Sequence, residues 1–301
     1  MTTQIGPFEF VDPLPTLREP RMLVALQPWI DVGSVGTMSL AYVGDALGAQ
    51  PLGQLTKPGR FFDFTRYRPV LTRQDGKRIV TVPNSRMHFS QGRDHDWVLL
   101  HSLEPHANGD EFVEGLIEAV LRLGVKEYTL VGSMYAPVPH TRRPVASGGS
   151  SNEEMRRRLL KLGVRESNYE GPTTIMAIMG ATGPGEGIDT STVILQLPAY
   201  AQVERDYMGL EAMLDILAAL YGFELEMAPV RHEAEQQRLA MDETANEDPR
   251  LQVWLRELEQ VYDAESKAMA SPDEMVEGES PQLSPELEKF LREVEGRWHE
   301  S

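Results

Sequence analysis

Cysteine is absent from all 301 residues, which excludes disulfides, thiolate nucleophiles and cysteine-based metal sites. Long apolar runs are absent too. None approaches the roughly 20 residues that span a bilayer, and the opening MTTQIGPFEF has neither the basic nor the apolar segment of a signal peptide. These absences point to a cytoplasmic chain that does not use the membrane. Basic residues are scarce, 29 against 46 acidic, for a net charge of −17. Each phosphate contact needs a cation, so nucleic acid is not an expected partner. The remaining composition, 41% hydrophobic and 25% charged, is that of an ordinary globular protein.

The negative charge is uneven. Residues 224–301 hold 21 of the acids and 8 of the bases, a net of −13, which leaves −4 for everything before them. The sequence therefore divides into a near-neutral body, residues 1–226, and an acidic helical extension, residues 227–301.

The body alternates strand and helix patterns. Met22 to Leu26 reads as a strand that leads into a glycine-containing turn and a helix through Leu47. Pro51 to Leu55 is a weak strand. PVLTRQDGKRIVTV is a hairpin turning at Asp75-Gly76, a pair that tolerates positive φ, and Arg86 to Ser90 adds an antiparallel strand. Trp97 to His101 is a buried strand. Asp110 to Leu123 is a helix with Phe112, Val113, Leu116, Ile117, Val120 and Leu121 on one face. A strand follows at Glu127 to Val131 and breaks at Gly132 into a loop through Gly149. Ser151 caps a short helix. Gly171-Pro172-Thr173 opens another, and GATGPGEG, residues 180–187, is a mobile loop. Thr192 to Leu197 is a strand and Asp206 to Tyr221 a helix. Alternation of this kind implies a largely parallel sheet covered on both faces.

In the extension, Asp248-Pro249 and Ser284-Pro285 are helix-start signals. The first precedes an apolar stripe from Leu251 through Trp254 and Leu258 to Tyr262. The second precedes Leu287, Phe290, Leu291, Val294 and Trp298. The acidic segment SPDEMVEGESPQ between them has the composition of a disordered linker.

No catalytic constellation is present. The phosphate-loop pattern and the G-x-S-x-G elbow are both missing. His88, His95, His101 and His106 lack metal-ligand spacing and read as surface histidines; no metal or cofactor is expected. Gly33-Ser34-Val35-Gly36 follows a strand and opens a helix. Its N–H groups could hold an anion, or its glycines could serve only a tight turn. The segment Tyr128 to Arg143, YTLVGSMYAPVPHTRR, ends a buried strand in a proline-stiffened loop bearing His140, Arg142 and Arg143. Two adjacent arginines need anionic partners. Those are either acids of this chain or a sister subunit, or a bound carboxylate, phosphate or acidic peptide.

The order of WIDVGSVGTMSLAYV, VLLHSLEP, GLIEAVLRLGVKEYTLVGSMYAPVPHTRRPVASGG, YEGPTTIMAIM and VILQLPAYAQVERDYMGLEAMLDILAALYGFELE resembles the PAC2 family, the group that includes proteasome assembly chaperone 2. V-P-H-T-R and the G-P-T before a helix are its most specific parts. The resemblance implies a three-layer α/β/α fold with a largely parallel, phosphorylase-like central sheet, to which this chain's own residues add the β-hairpin insertion and, as a departure from the family, the C-terminal helices. It also implies a homo-oligomer, with a trimer as the favoured closed ring.

Two functional readings follow. The first is a non-enzymatic assembly-chaperone-like or protein-interaction factor, with the 284–298 helix as an arm that reaches another protein or a neighbouring subunit. The second is an enzyme or small-anion binder. It would use Gly33, Ser34 and Gly36, the loop from Gly132 through His140, Arg142 and Arg143, and Gly171 and Thr173 as one pocket at the carboxyl edge of the sheet.

Overall fold

The computed structural model describes residues 2–270 and 283–299. The predicted linker, residues 271–282, and the side chains of Val294 and Trp298 lie outside the described residues.

Among the described residues, twelve strands run in chain order: β1 (Thr2–Ile5), β2 (Phe8–Val11), β3 (Arg21–Gln27), β4 (Gln50–Leu55), β5 (Val70–Gln74), β6 (Lys77–Thr81), β7 (Arg86–Ser90), β8 (Trp97–Leu103), β9 (Glu127–Ala136), β10 (Val145–Ser150), β11 (Val164–Glu166) and β12 (Asp189–Pro198). The helices are α1 (Val35–Ala46), α2 (Gly109–Arg122), α3 (Glu153–Lys161), α4 (Ile175–Thr182), α5 (Tyr207–Tyr221), α6 (Ala228–Glu247), α7 (Pro249–Ala270) and α8 (Pro285–His299).

Ten strands form one sheet in the order β1-β2-β4-β7-β8-β3-β9-β12-β10-β11. Its centre, β8-β3-β9-β12, is parallel. These strands carry nearly continuous apolar runs such as MLVAL in β3, as strands covered on both faces must. One face is closed by α2 and α4 through Phe112, Leu116, Met176 and Met179. The other is closed by α1, α3 and α5 through Leu40, Val43, Leu159, Met213 and Leu217. This is the expected three-layer α/β/α fold.

The flanks are antiparallel except for the parallel edge pair β10–β11, and the expected antiparallel strand Arg86–Ser90 is present as β7. β4 pairs antiparallel with β2 and β7. β7 pairs with β8 in the main sheet, while the β5–β6 hairpin pairs only with itself and lies exposed. The hairpin β1–β2 was unpredicted.

Several boundaries move for physical reasons. Strand β9 does not break at Gly132; it continues to Ala136, in register with β12. A Cβ at Gly132 would lie 2.2 Å from the Ile30 carbonyl oxygen. The glycine permits a close backbone approach rather than a turn. The end of the expected loop, residues 145–149, belongs instead to strand β10, where a Cβ on Gly148 would lie 1.9 Å from the Thr192 oxygen. Asn152, not Ser151, caps α3, accepting from the Glu154 and Met155 N–H groups. Helix α4 starts at Ile175, beyond Gly171 and Thr173, and a 3₁₀ turn at Gly183–Glu186 replaces most of the expected mobile loop.

The extension is also more ordered than its periodicity suggested. α6 was not predicted, because the residues it buries, Val230, Ala234, Met241 and Ala245, are mostly small. α7 runs on to Ala270, with Asp248 accepting from the Arg250 N–H as its cap. The predicted arm, α8, lies on its own chain. Leu287 and Leu291 are buried against Leu258 and Ala199, and the Phe290 ring packs on Trp254 at 4.7 Å.

Candidate functional site

The site sits at the carboxyl ends of β9 and β12. Their register places Ala136 beside Pro198, so the loop leaving β9 and the turn leaving β12 meet. The first loop carries residues 137–144. The turn supplies Tyr200, whose hydroxyl accepts from the His140 N–H at 2.8 Å and contacts His140 Nδ1 at 2.7 Å.

His140 is 2% exposed. Its Nε2 lies 3.2 Å from Asp242 on α6. Burial pulls the imidazole below its ordinary value, and Asp242 opposes that shift. Arg142 makes a bidentate pair with Asp263 on α7: Nε and one terminal nitrogen each donate to a carboxylate oxygen at 2.9 Å. Its other terminal nitrogen donates to Glu259 at 3.3 Å. The same guanidinium holds the Asp263 carboxyl below the usual carboxylate range. Thr141 donates to Glu259, and Tyr262 donates to the Arg143 carbonyl at 3.0 Å. Arg143 approaches Asp215 on α5 at 3.8 Å. Of the two sources the sequence left open for the arginines' partners, the chain's own acids are the one observed.

Beside this seam lies a cavity of about 490 Å³ between the loop, α5 and α6. Arg142, Arg143, Arg231 and Arg238 line it, opposed by Glu211, Asp215 and Glu235. Arg231 lies 3.5 Å from Glu211 and 3.7 Å from Asp215.

The glycine turn after β3 meets a carboxylate of its own chain. Gly33 and Ser34 adopt positive φ, 59° and 55°. This folds the chain so that Asp31, 7% exposed, caps α1. Its carboxylate accepts from the Thr37 N–H at 3.1 Å and the Thr37 hydroxyl at 2.5 Å, and from the Gly36 N–H. Burial raises the Asp31 carboxyl to about 6, with these hydrogen bonds opposing the rise. The helix start that could have held an external anion therefore already holds an internal one. Gly33 packs on a second buried cap, Asp206, which accepts from the Gly209 N–H at 2.7 Å. Burial raises the Asp206 carboxyl as well.

Gly171 and Thr173 are exposed and line neither of the two cavities at the 137–144 loop. The three-loop pocket is thus not assembled there. His140, Arg142 and Arg143 share a cavity, the Gly33–Gly36 turn is filled by Asp31, and Gly171–Thr173 lies apart. Ser34 donates to the Glu204 carbonyl at 3.0 Å and Ser133 to the Val32 carbonyl at 2.6 Å, so neither hydroxyl faces a base. His88 and His101, read as surface histidines, sit in paired strands, where burial pushes His101 down to about 4.

Sequence reasoning missed Asp31, Tyr200, Asp206, Asp242, Glu259 and Asp263. The i,i+4 spacing of Glu259 and Asp263 on the polar face of a predicted helix was the available signal. Nothing local marked Tyr200 or Asp242.

A family model described as PAC2 family matches residues 25–245. Among solved structures, a Corynebacterium glutamicum protein of unknown function superposes with a TM-score of 0.77 at 20% identity, covering 88% of this chain and 100% of that one. A PAC2 family protein from Streptomyces avermitilis gives 0.71 at 23% identity, over 78% of this chain and 99% of its own. A proteasome-assembly chaperone homologue from Mycobacterium tuberculosis gives 0.69 at 25% identity, over the same shares. Among curated proteins, none matches this chain.

Proposed function

Because this chain belongs to the PAC2 family, we propose that it works as an assembly-chaperone-like, protein-interaction factor rather than an enzyme. One observation carries this reading. The segment that most specifically resembles the family, Val138 to Arg142, spends its charged side chains on holding helices: His140 on Asp242, and Arg142 on Glu259 and Asp263. A loop built to grip acidic helices is a protein-recognition device. The likeness to a proteasome-assembly chaperone homologue supports the same reading. Among the described residues no helix is long and apolar enough to cross a membrane. The chain acts in the cytoplasm as a closed homo-oligomer, with a trimer as the expected ring.

The test is native mass spectrometry of the purified chain mixed with proteasome α-subunits of the same cell. A discrete complex and faster α-ring formation are expected. Unchanged assembly with no complex removes the proteasome as client.

The cavity beside Arg142 favours a second reading, a small-anion site. Its arginines already face Glu211, Asp215 and Glu235, so an anion must compete with three carboxylates. Calorimetric titration with inorganic phosphate decides: saturable millimolar binding supports the reading, and no heat at that concentration ends it.

A further inference from the structure

Arg142 lies inside the stretch matched by the family, 25–245, but its carboxylate partners lie outside it. Glu259 and Asp263 belong to α7, which the family model does not reach. The seam they form differs from the rest of the interior. Of α7 residues 249–267 only Leu258 is fully buried. Its polar contacts to the body are the Arg142 pairs, the Tyr262 hydroxyl on the Arg143 carbonyl, and Arg165 on Glu265 at 2.7 Å, with Trp254 adding half-buried apolar contact near Tyr135 and Tyr200. The apolar cluster here holds only Ala199, Leu258, Leu287 and Leu291 as buried members. A small, charged seam between two packed units resembles a transient protein–protein interface more than a core.

We propose that the groove between the 137–144 loop and the Ala199–Tyr200 turn is a docking surface for an acidic amphipathic helix of a partner protein, and that α7 is its built-in occupant. The proposal rests on the protein-interaction reading above and specifies the partner's chemistry. α7 shows what the groove selects. Leu258 enters beside Ala199, Glu259 and Asp263, one turn apart, straddle the Arg142 guanidinium, and Tyr262 reaches the backbone at Arg143. The partner helix presents the same spacing: leucine, acid, two residues, tyrosine, acid. Charge complementarity argues for this occupant. Two cationic side chains, Arg142 and Arg165, meet the acids of α7, while the Arg143 guanidinium turns to Asp215, so an acidic helix is favoured at this seam over a basic one. Because α7 already fills the groove, a partner binds the intact chain with an affinity reduced by the fraction of time α7 is away.

The experiment uses the full chain and a fluorescent peptide of residues 249–267, read by anisotropy at low salt. The double substitution E259K/D263K sets α7 against Arg142 and vacates the groove. The variant is expected to bind the peptide at least tenfold more tightly than the intact chain. Adding Arg142→Glu, or placing the same two lysines in the peptide, is expected to abolish that gain. Equal binding by intact chain and variant, or a gain indifferent to Arg142→Glu, overturns the proposal. If the double variant loses its cooperative melt, amide exchange on the intact chain decides. Protection of α7 must fall between 50 and 500 mM salt, roughly a threefold change in screening length, while that of β9 holds. Unchanged α7 protection refutes the seam as releasable. Stable exchange of α7 between two copies would make the occupant a second copy and overturn the partner assignment. A negative peptide result leaves the α-subunit experiment standing, so the two readings fail separately.

Discussion

The parallel centre of the body and the seam beneath α7 are held by opposite physics. Around β3, β8 and β9 the contacts are apolar, and residues such as Leu23, Val98 and Phe112 are fully buried. Burying a side chain of that size is worth about 1.5–3 kcal/mol, and the contribution is not weakened by ionic screening. Beneath α7 the contacts are carboxylate–guanidinium pairs at half-exposed side chains, where desolvation and screening leave little net stability. The body is thus built to stay folded, and the seam is built to select what lies on it.

Cavity-forming substitutions separate the two most strongly. Phe112→Ala removes a ring packed edge-on against Phe8 and Phe61 at 5.8 and 5.7 Å. The expected cost is about 3–5 kcal/mol, a fall in the thermal midpoint on the order of 10 °C. Leu258→Ala in the small cluster is expected to cost about 2 kcal/mol, the low end of the range, because half-exposed neighbours can close around the gap. Calorimetry of the two variants checks the order. Equal losses would mean that α7 belongs to the core.

The centre of the fold was legible because its signals are local and repeated. The apolar runs of β3, β8, β9 and β12 and the stripe on α2 needed only neighbours in sequence. The flanks were legible only in part: the strands at Pro51–Leu55 and Arg86–Ser90 were expected and are present as β4 and β7, whereas β10 and β11 were not, β11 being three residues long and β10 glycine-rich to allow the close approach of Thr192. Gly132 misled for the same reason: a glycine demanded by a crossing backbone looks in sequence like one demanded by a turn. At the site, the charged loop was visible and its need for anions was stated. Its partners lie more than 100 residues away on helices whose register only the fold reveals.

Acid sharpens the comparison, because Asp31 in the body and Asp263 in the seam respond with opposite sign. Asp31 has a folded value of about 6 against an ordinary 3.8. A carboxyl raised in this way stabilises the fold when protonated, so its contribution grows as pH falls from about 6 toward 3.8 and is lost as pH rises through 6. The full swing is about 3 kcal/mol at 1.36 kcal/mol per unit. Asp263 is lowered by Arg142. Its pairing is present above the ordinary carboxylate value and is lost as pH falls below it. Between pH 6 and 4 the Asp31 contribution is therefore expected to grow, opposed in the body by His101, whose folded value of about 4 lies below the ordinary 6.5 and whose contribution falls as pH drops toward 4, and the Asp263 pairing is expected to loosen as pH falls below the ordinary carboxylate value. Denaturant melts of wild type and Asp31→Asn across this range check the first half, with stability falling more steeply toward acid in the variant, which keeps the His101 loss without the Asp31 gain. Hydrogen exchange of α7 against β9 checks the second. A wild-type slope between pH 6 and 4 that Asp31→Asn leaves unchanged would show that the carboxyl capping α1 does not carry it.

The smallest expected effect is the most specific. Asp263→Asn removes the bidentate partner of Arg142 but leaves Glu259 3.3 Å away. An exposed pair of this kind contributes little to global stability, so the thermal midpoint should move by no more than about a degree. Local opening is different, because α7 is held by few contacts and each carries a larger share of its attachment. Amide protection in α7 is expected to fall severalfold while β9 and α5 keep theirs. The change should vanish at high salt, where the wild-type pair is already screened. Glu265→Gln, which breaks the Arg165 pair farther along the same helix, should act in the same direction. A midpoint drop of several degrees for either variant would show that the seam is coupled to the body as tightly as the core, and the distinction between the two regions would fail.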